Sequence, residues 1–321
     1  MTSRLTSCMT SCVLLKLRAA TGLWATLAAG VLTLVAAMAT TAQQPTCATS
    51  DFDCDGRPDL LWRNVGTTTV GRNGVWLLSG ITYRAWAELP AEPNLSWEVG
   101  GTGDFNGDGR TDIVWRNRTS GLNRVWLLVG TTRTATVQIP PDSDTRWKIV
   151  GVADFNGDRK PDIVWRNHST GANRVWLMNG TTRTATLELP PESDTAWQIG
   201  GVADFSGDGR PDIVWRKSGG DVRLWILDGT QLVDAPDLPK VIDANWQIQA
   251  ARDLSSDGRA EVLWRNRASG ENAVWFLEST TVRSTAHLPV VSPTIPVDRP
   301  ASFGLSDNPL TQGSNMIWIY E

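Results

Sequence analysis

From about residue 46 onward, short runs of β-branched, aromatic and other apolar residues alternate with clusters of Gly, Asn, Asp and Pro. Runs of this length and composition predict strands bounded by turns. No stretch of this region sustains a helical period. The runs also recur. Asp-Phe-x-x-Asp-Gly-Arg-x-Asp, or a close variant, starts at Asp51, Asp104, Asp154, Asp204 and Asp253, in steps of 53, 50, 50 and 49 residues. A Trp-Arg run follows each time, at 60–63, 113–116, 163–166, 213–216 and 262–265. A Gly/Asn turn leads to a Val-Trp-Leu-like run at Trp76, Trp126, Trp176, Trp225 and Trp275. Then come a Thr-rich stretch ending in Leu-Pro or Ile-Pro and a Trp-x-Val/Ile run at Trp97, Trp147, Trp197 and Trp246.

Four strands in each unit of roughly 50 residues, repeated around a ring, predict an all-β fold, a β-propeller. Of the 17 Trp, four fall in first strands, five in second strands and, counting Trp318, six in third strands. Such large flat side chains suit face-to-face packing of blades. The last copy is degenerate. Residues 302–305 fit a first strand and 313–318 match the third-strand run of 171–176, but the Asp motif between them is missing. Residues 45–50 make a poor first strand without Trp. The expectation is five clear blades plus a degenerate sixth copy, which is either a short blade or a strap completing blade one.

Ahead of the repeats, Arg4, Lys16 and Arg18 precede an uncharged apolar run at 23–39, and small residues surround Ala39 and Ala42. This predicts a secretory signal over 1–42 and a propeller over 43–321. The alternative is an uncleaved anchor. Export implies a secreted, periplasmic or cell-surface protein, with no membrane span once the signal is removed. Cys47 and Cys54 are the even pair left in the mature chain. In an oxidising compartment they are candidates for a disulfide, against the alternative of two buried thiols.

Charge and composition exclude other classes. A net charge of −4 argues against nucleic acid as partner. Two His in 321 residues exclude a catalytic apparatus built on several histidines. His168 and His287, like the sequons at Asn117 and Asn167, read as incidental.

The Asp motif carries the chemistry. In the second copy, oxygen side chains stand at positions 1, 3, 5 and 9, with Gly109 at position 6. That is the donor spacing of a tight calcium loop: alternate residues face inward and Gly permits the sharp turn. It is not an EF-hand, since position 12 is Trp115 rather than Glu. The candidate donors are Asp51, Asp53, Asp55 and Asp59; Asp104, Asn106, Asp108 and Asp112; Asp154, Asn156, Asp158 and Asp162; Asp204, Ser206, Asp208 and Asp212; and Asp253, Ser255, Asp257 and Glu261. They hold 16 of the 34 acidic residues, and like charges so crowded repel without a cation. Up to five calcium ions are expected. In the third loop Arg159 replaces the Gly, which predicts strain. The alternative is that Asx-turns merely shape each strand entry.

Loop and following strand together resemble the FG-GAP repeat, also called VCBS, over residues from about 46 to 321. That family includes the integrin α-chain propeller, secreted bacterial proteins and a fungal propeller lectin. The resemblance implies that each loop joins the first and second strands of a blade and binds calcium. This chain departs from the family pattern: Trp-Arg-Asn or similar replaces Gly-Ala-Pro, and Ile-Gly-Gly or Val-Gly-Gly mostly replaces Phe-Gly.

Strand order puts the turns between second and third strands on the face opposite the loops. There Trp147 falls with Arg116, Asn117 and Asn123, and Trp197 with Arg166, Asn167 and Asn173. A flat aromatic beside planar hydrogen-bonding groups suits a sugar ring. The alternative is Arg stacked on Trp between blades while Asn caps turns. The expected function is a lectin-like, glycan-binding module. A protein-adhesion module is the second reading, and no enzyme is expected.

Overall fold

The computed structural model describes residue 47, residues 50–65 and 70–288, and residues 316–318. The expected signal over 1–42 and the first strand at 302–305 lie outside the described residues. Five antiparallel sheets form a five-bladed propeller. Blade two is the pattern for the rest: Trp97–Gly103, Asp112–Asn117, Asn123–Val129 and Thr132–Ile139, paired in that order. Blade three runs Trp147–Ala153, Asp162–Asn167, Asn173–Asn179 and Thr182–Leu189. Blade five runs Trp246–Arg252, Glu261–Asn266, Asn272–Glu278 and Thr281–Leu288. Blade four has Trp197–Ala203, Asp212–Lys217 and Val222–Asp228, but its outer strand is broken into Gln231–Asp234 and Asp237–Leu238. Pro236, which has no N–H for the ladder, sits at the break.

Blade one takes its second to fourth strands from Leu60–Asn64, Asn73–Ser79 and Thr82–Leu89. Its first strand is Met316–Trp318, antiparallel to Leu60–Asn64 and also beside the first strand of blade five. The degenerate copy is therefore a strap and not a separate blade. Trp318 is not a third-strand Trp. It pairs with Trp62 as Val99 pairs with Trp115, and Met316 takes the register of Trp97. Cys47 and Cys54 are joined by a disulfide, with Cα atoms 4.6 Å apart.

The core lies between blades. Phe105, Val114, Val125 and Ile139 of blade two pack with Val152, Ile163, Trp165, Trp176 and Met178 of blade three. Equivalent clusters fill the other four interfaces, that of blade five with blade one included. Each cluster contains indoles from adjacent strands of one of its two blades, and the second- and third-strand Trp of a blade always touch. Ring centroids are 4.5 Å apart in Trp115–Trp126 and 4.4 Å apart in Trp165–Trp176. Tilted aromatic pairs of this kind contribute about 0.5–1.5 kcal/mol beyond their buried area. Near the axis small residues let first strands approach: a Cβ on Gly200 would lie 2.8 Å from the Cβ of Ile248.

Candidate functional site

In blades two to five the aspartate loop joins the first strand to the second, in blade one it only leads into the second, and the residue at position 2 plugs each loop into the core. Phe52, Phe105, Phe155, Phe205 and Leu254 are all buried. Position 1 organises the turn. The Asp104 carboxylate accepts backbone N–H bonds from Gly107 (2.7 Å), Asp108 (3.1 Å) and Gly109 (2.8 Å). Positions 3 and 5 repeat the device on a smaller scale, with Asp108 N–H donating to Asn106 Oδ1 and Arg110 N–H to Asp108 Oδ1. Position 6 requires a positive φ. Gly109 is at +77° and Gly209 at +83°, and Arg159 is forced to +63°, so the strain expected in the third loop is present.

Position 9 does something the local pattern did not reveal. Asp112 is fully buried; its Oδ2 accepts the N–H of Phe105 (3.0 Å) and its Oδ1 accepts the N–H of Leu128 (2.9 Å). The carboxylate thus bolts the loop to the third strand. Asp59 bolts Phe52 to Leu78, Asp162 bolts Phe155 to Met178, and Asp212 bolts Phe205 to Leu227. Glu261, one methylene longer, bonds Leu254 and Ser255 within its own loop. Burial pushes Asp59, Asp112 and Glu261 up to about 7 and Asp162 to about 6, and it raises Asp212 as well. The N–H bonds each receives offset only part of that desolvation.

The donors fit a hard cation such as calcium: every group is an oxygen, the innermost carboxylate is buried, and neighbouring acids raise its proton affinity. In the first loop one ligand atom each from Asp51, Asp53 and Asp59 lies within 4.8 Å of the others, as do those of Asp253, Asp257 and Glu261 in the fifth. Arg84 also bears on the first loop, 3.4 Å from Asp53 and hydrogen-bonded to Asp55.

On the opposite face the structure corrects the sugar-binding assignment. Arg116, Asn117, Asn123, Arg166, Asn167 and Asn173 are buried. Arg116 donates to the carbonyls of Trp147 (2.7 Å), Asp142 (3.2 Å) and Asp144 (3.0 Å) and to Asn123 Oδ1 (3.1 Å). Arg166 does the same for Trp197, Glu192 and Asn173. Asn117 and Asn167 cap their turns, accepting N–H bonds from Thr119 and Ser120 and from Ser169 and Thr170. Arg116, Asn123, Arg166 and Asn173 are thus internal clamps between a blade and the link to the next, and Asn117 and Asn167 are turn caps. Burial accordingly lowers the pKa of both Arg116 and Arg166. Trp197 is buried and Trp147 half-buried, and a cation stacks on each: Arg174 on Trp147 at 3.9 Å and Arg223 on Trp197 at 4.8 Å.

His168 lies half-buried at this face. Desolvation, with Lys148 and Arg166 nearby, depresses its pKa to about 4, and a bond with Gln198 offsets this only partly. A depressed imidazole gives stability that is present above the unfolded value of about 6.5 and lost as pH falls towards 4. Between pH 7 and pH 4.5, His168→Gln is expected to lose less stability than the parent, by on the order of 2 kcal/mol, read from urea midpoints at the two pH values.

Among the described residues, no helix is long and apolar enough to cross a membrane. No curated protein matches the sequence. Among solved structures, the chain is similar to one in the Photorhabdus luminescens Tc holotoxin pore, at 15% identity over 73% of this chain and TM-score 0.42. It spans only 12% of that toxin chain. A chain of the nidogen/laminin complex matches at 15% identity, over 67% of this chain and 73% of that one, with TM-score 0.44. A Bacteroides caccae protein of unknown function matches at 13% identity, over 71% of this chain and 73% of that one, with TM-score 0.39. The FG-GAP-like repeat model matches three times, at residues 104–165, 154–215 and 204–264, which together span half of the chain. With five repeated loops and five blades built on them, the chain belongs to the FG-GAP-like repeat family.

Proposed function

We propose that this propeller is an exported recognition module that binds an extracellular protein through the turns between second and third strands, with calcium in the aspartate loops bracing the opposite face. One observation carries the reading. A buried, internally bonded arginine stands near the end of the second strand in every blade (Arg63, Arg116, Arg166, Arg216 and Arg265), whereas the exposed tips of blades two to five differ. Arg118, Thr119, Ser120 and Leu122 are exposed in blade two, Ser169 and Thr170 in blade three, Ser218 and Gly219 in blade four, and Arg267, Ser269 and Glu271 in blade five. Variable exposed loops on a rigid scaffold are where binding specificity is placed.

A glycan ligand is the second reading, favoured by a recess of about 400 Å³ lined by Leu95, Trp97, Glu98, Arg118 and Lys148. Trp97 lines it beside the cations of Arg63, Arg118 and Lys148, with Arg124 stacked on the ring at 3.8 Å. The test is binding of the full chain in calcium to arrays of extracellular proteins and of glycans. A protein ligand whose affinity falls at least tenfold in Arg118→Ala/Leu122→Ser, with an unchanged melting temperature, supports the first reading. Glycan binding that a simple sugar blocks and Lys148→Ala weakens selects the second. Silence on both arrays overturns both.

A further inference from the structure

The first aspartate loop departs from the other four at two places that meet in space. Position 3 holds Asp53, an acid, where the other copies hold Asn106, Asn156, Ser206 and Ser255. On the outer strand of the same blade, the residue at the β-bulge is Arg84, where blades two and three hold Thr134 and Thr184 and blade four holds Val233. Thr134 and Thr184 donate back to the carbonyls of Leu127 and Leu177, each at 3.0 Å. Arg84 reaches the loop instead. It lies 3.4 Å from Asp53 and donates a hydrogen bond to Asp55. Bulges often re-aim a side chain in this way. Blade five also carries an arginine at the bulge, Arg283, but with Ser255 and not an acid at position 3. Only in blade one do the extra acid and the bulge arginine come as a pair, and the guanidinium brings the net charge of that loop to that of the others.

The backbone of the first loop is held by links that need no metal. Position 4 takes a positive φ, and there Cys54 (+59°) stands where Gly107, Gly157 and Gly207 stand in blades two to four. Its disulfide to Cys47 ties down the turn, and the Cys47 N–H donates to the Gly109 carbonyl of the second loop (2.8 Å). The Asp51 carboxylate accepts the N–H groups of Asp55 (3.1 Å) and Gly56 (2.7 Å). The Arg84 side chain is 46% exposed, so it can swing into water without stranding a buried charge.

A guanidinium and a calcium ion compete for the same carboxylate oxygens. We propose that Arg84 is the resident cation of the first loop, that it must swing off Asp53 and Asp55 before calcium binds there, and that this exchange holds the site's calcium affinity below what its four carboxylates would otherwise give. The inference rests on the calcium reading of the loops.

The test is calorimetric titration of the full chain with calcium, together with melting in chelator and in saturating calcium. Arg84→Thr, the residue of blades two and three, should tighten one site about fivefold or more and leave the others as they are. Arg84→Lys, which keeps the charge without the planar fork, should fall between it and the parent. In an Asp51→Ala background, which lacks a main donor of the first loop, Arg84→Thr should tighten nothing. The melts run in opposite senses. In chelator Arg84→Thr should melt below the parent by about 2 °C or more, and in saturating calcium level with it or above. Unchanged calcium affinities in Arg84→Thr, or an equal fall in melting temperature under both conditions, would overturn the role given to Arg84 and leave the calcium reading standing. No calcium binding by the parent or by any variant would overturn both. The melts decide the matter even should Asp51→Ala fail to fold.

Discussion

Trp165→Ala is expected to lower the unfolding free energy by about 3–5 kcal/mol, the range for deleting a large core aromatic. Trp165 is wholly buried and contacts Trp176 at 4.4 Å. Its ring also carries the guanidinium of Arg116 at 4.8 Å, from the preceding blade. Truncation therefore opens a cavity at the junction of blades two and three and removes the cushion beneath a buried cation. Trp165→Phe should cost much less, under about 2 kcal/mol. The indole N–H of Trp165 has no acceptor among the described residues, so its removal forfeits no hydrogen bond. Ile242→Ala, at a side chain 80% exposed, should stay within about 0.5 kcal/mol of the parent. Urea unfolding followed by circular dichroism gives all three values, and a loss below about 1 kcal/mol for Trp165→Ala would contradict the interface as described.

Chelation is expected to lower the melting temperature by at least about 10 °C. Each proposed calcium site held at a hundredfold excess over its Kd stabilises the folded ring by about 2.7 kcal/mol. For a domain of this size each kcal/mol shifts the midpoint by about 2–4 °C. Several sites emptied together exceed that threshold. Calorimetry with and without chelator, alongside elemental analysis of the dialysed protein, checks it. Asp104→Ala should remove one equivalent of calcium and leave the others. A melt indifferent to chelator, with no calcium in the sample, would leave the loops as Asx-turns bolted by their position 9 acids, an arrangement that already satisfies much of their hydrogen bonding.

The sequence made the repeat unit, the strand order within a blade and the loop positions legible, because each is written within about 50 consecutive residues. Partners farther along the chain were not legible. Arg116 beside Asn117 reads as a polar strand end, yet its acceptors include carbonyls at Asp142, Asp144 and Trp147. The same distance hid the bolt from Asp112 to Leu128, whose local signal is only an acid ahead of an apolar run. Trp318 misled because a matching motif does not state which strand it will join. Arg on Trp stacking was foreseen as the alternative to sugar binding, but the cation covering Trp147 is Arg174 rather than Arg116.

The strap at 316–318 bears on how the protein is made. Blades two to five each draw their four strands from one continuous stretch, so each is complete soon after it leaves the ribosome. Blade one is synthesised first and finished last. Until Met316–Trp318 emerges, the inner edge of Leu60–Asn64 stays unpaired, and an open strand edge recruits other chains. The nascent polypeptide is thus most vulnerable at its oldest blade, and shielding that edge during translation is the task this topology hands to the cell's chaperones.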